Sequence, residues 1–139
     1  MSVGKELWGA VRSALIADAA VMADLNSIYD KSLPADPWGA KQSYMTRGPL
    51  VGSPEDADCI IGQEVTLQLD IWSRDPNRWS TDDIISAVRK RLHNQEVALT
   101  ENALVSLEVT LWRVLDDPDG KTIHGVVQLT ARVEEPEDA

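Results

Sequence analysis

Cysteine is almost absent: Cys59 stands alone in a chain of 139 residues. With no partner for an internal disulfide, the fold needs no oxidising compartment, and a reducing cytoplasm is the expected setting. Histidine is nearly as scarce. His93 and His124 have no Cys or His partner at metal-ligand spacing, so no metal site is expected. Nor does any apolar run approach the ~20 residues that cross a bilayer. The opening MSVGKELWGAVRSALIAD carries Lys5, Glu6 and Arg12 among its apolar residues, which fits an amphipathic helix better than a secretory signal. Neither a membrane partner nor export is expected. No glycine-rich turn leads from a strand into a helix with a lysine, so nucleotide hydrolysis and a nucleotide cofactor are not expected. Positive charge is also short, with 13 Lys and Arg against 23 Asp and Glu and a net charge of -10. Such a surface repels a polyanion, because phosphate binding rests on clustered cations.

Catalytic constellations are missing too. No sharp strand-to-helix turn presents a serine nucleophile, and paired carboxylates fall only in turns and at a helix start, where capping and solubility account for them. The run Asp116 to Gly120 resembles a calcium loop only superficially. Setting Gly120 at the sixth position puts Leu115 at the first ligand and Val126 where a bidentate Glu belongs. A hairpin is the better reading, since Asp-Gly between alternating runs is a strong turn signal. No catalytic, cofactor-binding or metal-binding residue is therefore assigned.

What the chain does contain is the pattern of one small domain. A chain of this length buries about two thirds of the surface its unfolded form exposes. Leu7, Val11 and Leu15 recur at helical spacing after Ser2, a residue able to cap. Ile28 to Asp30 reads as a brief strand. Residues 31–59 are dense in Gly and Pro and read as a long loop or arm, with a short strand at Ser43 to Arg47. Val65, Leu67, Leu69 and Ile71 then alternate with Glu64, Thr66, Gln68 and Asp70, the mark of a sheet with one covered and one wetter face. A helix follows. Ser80 or Thr81 is placed to cap it, Asp82 and Asp83 open it, Arg89, Lys90 and Arg91 close it, and Ile84, Ile85, Val88 and Leu92 form its apolar stripe. Val97 to Thr100 reads as a short strand. Leu104 to Leu115 reads as a long one with Val105, Leu107, Val109 and Leu111 inward, and a last strand turns Ile123, Val127, Leu129, Ala131 and Val133 inward. The expected fold is α+β, a mainly antiparallel sheet with two principal helices on one face. The domain is expected to span residues 1–133, followed by a frayed acidic tail at 134–139.

Large rings then fall in odd places. Trp72 and Trp112 are expected on the face the helices leave uncovered, Trp79 at the turn into the helix, and Trp38 and Tyr44 on the arm. Together with Arg47 and Arg74 they are the candidate protein-interface residues, because aromatic side chains and arginine are enriched at interfaces.

The order of these elements resembles the tail-terminator, or tail completion, family of long-tailed bacteriophages and gene transfer agents. The likeness runs through Ala17 to Ala20, Ile28-Tyr29-Asp30 and Pro34. It resumes at Leu69 to Ser73, clearest in Ile71-Trp72-Ser73, and continues in Ile84, Ala87, Val88, Leu92 and His93. It closes with Leu104-Val105, Asp117-Pro118-Asp119-Gly120 and His124-Gly125-Val126. Residues 35–60 depart from it, with Lys41, Gln42 and Arg47 around Tyr44 and Met45. The resemblance implies a virion structural protein of the tail neck. Such a protein forms a homohexameric ring that caps the tail tube, ends its polymerisation and forms the surface joining the head. Its implied partners are further copies of itself, the tail tube protein and a head-tail connector or stopper protein, with DNA passing through the lumen without specific binding. Two alternatives stand beside it: a head-closure connector of the neck, or a small intracellular enzyme using Asp119 and His124.

Overall fold

The computed structural model describes residues 1–136. Helix α1, Val3–Ile16, starts where the Ser2 hydroxyl accepts the Lys5 N–H at 3.2 Å, and it buries Val3, Leu7, Val11 and Leu15. Asp18 caps the single turn α2, Ala19–Met22, by accepting from the N–H groups of Ala20 and Val21. The strands are β1 (Ile28–Tyr29), β2 (Ser43–Pro54), β3 (Gly62–Ser73), β4 (Ala103–Asp116) and β5 (Ile123–Glu134), with α3 (Trp79–Leu92) between β3 and β4. They form one sheet in the order β1-β2-β3-β5-β4, parallel only between β1 and β2. The expected α+β class and antiparallel sheet are both present.

One core joins the helices to one sheet face. Val65, Leu67, Leu69 and Ile71 of β3 and Val127, Leu129 and Ala131 of β5 are fully buried, against Leu7, Val11 and Leu15 of α1 and the Ile84, Ile85, Val88 and Leu92 stripe of α3. Period-two alternation on central strands delivers this face directly.

Elsewhere the structure corrects the sequence reading. Within the expected arm, β2 runs for 12 residues rather than as a brief strand. Its Gly48-Pro49 pair is absorbed by a register shift between Arg47 and Leu50, and β1 pairs only with Met45 and Thr46, so β2 beyond Thr46 has no outer strand among the described residues. Val97 to Thr100 forms no strand. Instead, the N–H groups of Thr100, Glu101 and Asn102 all donate to the Glu6 carboxylate, which fixes the loop on α1. Helix α3 starts earlier than Ser80. Asn77 accepts the Trp79 N–H, while the Ser80 hydroxyl donates to Asp75 at 2.8 Å. Glu134, expected in the frayed tail, pairs with both Gly62 and Ala103. Residues 137–139 of that tail lie outside the described residues.

The largest correction concerns β4. Two register shifts, between Leu104 and Ser106 and between Val109 and Leu111, each place an extra residue in this strand. One extra residue exchanges the faces of everything beyond it. Leu107 and Val109 still point inward, but Val105 and Leu111 are exposed, and Trp112 comes opposite Val127 on the helix side of the sheet. His93, just past α3, braces the second shift, its Nδ1 accepting the Val109 N–H at 3.0 Å.

Candidate functional site

The uncovered sheet face is polar and internally tied. Trp72 stacks on the His124 ring, with centroids 3.9 Å apart and planes 11° from parallel, and its indole N–H donates to the Thr46 hydroxyl. His124 Nε2 lies 2.8 Å from Asp70, Gln68 also donates to Asp70, and Gln128 donates to Gln68. Trp72 does sit on this face, half-buried by its neighbours.

Three of the expected interface residues meet at the start of β2. Trp38 packs edge-on against Tyr44 with centroids 4.8 Å apart, and the Arg74 guanidinium lies 4.3 Å from the Trp38 ring centre. Burial pushes the Tyr44 hydroxyl pKa up, against the opposing pull of Arg74. These contacts hold Trp38, and with it the middle of the loop, against the start of β2. Arg47 stands apart, paired with Asp30 at 2.7 Å.

Asp119 and His124 are not brought together as a catalytic pair. Asp119 accepts from the Thr122 hydroxyl at 2.6 Å and from the Lys121 and Thr122 N–H groups. The Thr122 hydroxyl is the chief cause that holds its pKa at about 2, with Arg74 contributing from 3.7 Å. The carboxylate closes the hairpin turn, while His124 is engaged with Asp70.

Among the described residues, bare apolar surface is concentrated in two places. One is the far half of β4, the free edge of the sheet, where every residue from Thr110 to Asp116 is exposed, including Leu111, Trp112, Val114 and Leu115. Arg89 of α3 lies over the Trp112 ring at 3.6 Å, and nearby Trp79 is 72% exposed. The other is the tip of the β2–β3 hairpin. Every residue from Pro49 to Ile61 is exposed, among them Val51, Ile60 and Ile61, and the acids Glu55, Asp56 and Asp58 are interspersed. Sequence reasoning placed most of this tip in the arm at 31–59 but named none of its residues as interface candidates, nor Arg113, and read Arg89 only as a charge at the helix end. The available signal was an Ile-Ile pair directly after an acidic turn, with too few turn residues to bury it.

An edge strand and a hairpin tip, both apolar and both unpartnered among the described residues, suit a small α+β protein that works through contacts between chains. Such a protein is an assembly component. The family model described as tail completion protein gp17 matches residues 9–134, and the chain belongs to that family, whose members are structural proteins of phage-type tails. Its fold is similar to that of a chain from the virion of a native gene transfer agent particle, with a TM-score of 0.86 and 21% identity over 96% of this chain and 98% of that one. No curated protein matches the chain.

Proposed function

We propose that this protein closes into a ring at the head-proximal end of the tail tube, ends tube polymerisation and forms the surface that receives the head. The single observation that carries this reading is the tail-completion family match over residues 9–134. The chain fold it shares with a virion component agrees with it. Symmetry supplies the physical reason, since a closed ring needs two different patches on each subunit, meeting head to tail. Six copies is the number the family resemblance implies. A net charge of -10 suits a ring through which DNA passes without being held. The partners are further copies of the chain, the tube protein below and a connector or stopper protein above, with assembly in the host cytoplasm and a final place in the neck.

Deleting the protein should leave tails of irregular length or tails detached from heads, and imaging of intact particles should locate its density at the neck. Tails of normal length beside heads that leak DNA would assign it instead to the head-closure connector. His124→Ala and Asp119→Asn variants that fold and assemble but lose function would point to catalysis.

A further inference from the structure

We infer that neighbouring subunits join by seating the β2–β3 hairpin tip of one copy on the outer edge of β4 of the next. This rests on the ring reading and names the two patches that would make it. The two patches lie at opposite ends of one sheet: Gly62, next to the tip, pairs with Glu134, whereas Asp116 and Ser73 both pair with Ile123. Eleven strand steps separate those ends, about 36 Å at ~3.3 Å per residue. A surface with complementary patches at opposite ends associates head to tail, which builds a ring where the rotation closes.

The chemistry of the patches is complementary as well. On the β4 side, Arg89 and Arg113 have no carboxylate within salt-bridge distance among the described residues. On the tip, Asp58 has no cation partner among them, and Glu55 has only Arg132 at 3.5 Å. Acid and isoleucine on one side thus meet arginine and tryptophan on the other. Backbone geometry agrees. From Thr110 to Asp116 the outer edge of β4 has no strand beyond it among the described residues and no proline, so its N–H and C=O groups there are open to an incoming extended segment. The outer edge of β2, in contrast, carries Pro49 and Pro54 and cannot present a full ladder.

Cys59 lies in the hairpin tip, exposed, and makes the contact testable by cross-linking. A Val114→Cys chain that keeps Cys59 is assembled into tails in place of the native chain, then treated with a mild oxidant and run on a non-reducing gel. Head-to-tail seating gives a ladder of covalent multimers, and the Cys59→Ser/Val114→Cys chain gives none. In a parallel arm, Arg113→Glu reduces incorporation into tails and Asp58→Lys in the same chain restores it, with the circular dichroism of the free subunit unchanged throughout. Two results overturn the proposal while leaving a ring standing. One is dimers that form without Cys59, the sign of β4 joined to β4. The other is a variant incorporated at native level that gives no cross-link at all. If the native chain is absent from finished tails, the ring reading falls and this inference with it.

Discussion

Replacing Gly125 with alanine would place one methyl group between β5 and α3. An ideal Cβ there lies 2.7 Å from Thr81 Cγ2 and 3.3 Å from both Ile71 Cβ and Ile85 Cδ1. Relaxed carbon contacts sit at ~3.5–4.0 Å, so something must give by close to 1 Å. Thr81 cannot turn aside cheaply. It is 1% exposed, branched at Cβ, and its hydroxyl is already buried without a hydrogen-bond partner among the described residues. The first turn of α3 must therefore lift, loosening Ile84 and Ile85 from the sheet. Overpacking of this kind costs ~1–3 kcal/mol. In urea, the Gly125→Ala midpoint should fall with an unchanged slope, since the surface exposed on unfolding stays the same. Thr81→Ala removes the offending methyl, so the alanine at 125 should cost less in that background, with a coupling of ~0.5–3 kcal/mol. A loss under ~0.5 kcal/mol, or the same loss in both backgrounds, would refute the claim that this glycine exists to seat α3.

Three further outcomes are expected. Leu129→Ala, at a fully buried position on β5, should cost ~2–5 kcal/mol in the same denaturation assay. Trp112→Ala removes a 45% exposed ring and its contact with Arg89, worth ~0.5–1 kcal/mol to the free subunit, so the thermal melt should barely move while incorporation into tails falls. The Glu6 pKa is held at about 2, against an ordinary 4.5, chiefly by the Glu101 N–H. A carboxylate lowered on folding contributes stability that is fully present above about 4.5 and lost as pH falls toward about 2. Glu6→Gln should therefore be less stable than the native chain at neutral pH, and acid titration followed by circular dichroism should show the gap closing across that window. A gap that stays constant would mean that the Thr100 to Asn102 loop does not depend on the Glu6 charge.

How much of this was legible follows from where each signal is local. On β3, Val65, Leu67, Leu69 and Ile71 alternate without a break because the strand is central and regular, so its face could be read from spacing alone. The α3 stripe was equally plain. The face of Trp112 was not, because a β-bulge has no periodic mark: VSLEVTL, Val105 to Leu111, alternates without a break across the second shift, and only pairing with β5 shows where residues are added. The length of β2 was hidden by Gly48, Pro49 and Gly52, which read as breakers but are tolerated where no outer strand needs their hydrogen bonds. Trp38, Tyr44 and Arg74 were singled out separately from composition, and their joining depends on tertiary contacts that span 36 residues of chain. Glu6 was read as one charge on a helix, with nothing to mark the loop it holds 94 positions later.

A bare strand such as the far half of β4 invites pairing with its own copy across a two-fold axis, and its charges oppose that outcome. An antiparallel β4–β4 pair centred on Arg113 sets one guanidinium directly against another. Like charges opposite one another destabilise a strand pair, and charged residues on an edge are a common guard against self-pairing. The same arginines face no such conflict when Glu55, Asp56 and Asp58 arrive on a hairpin tip. An edge that disfavours its own image and suits the far end of its neighbour would favour the proposed head-to-tail contact over a two-fold dimer.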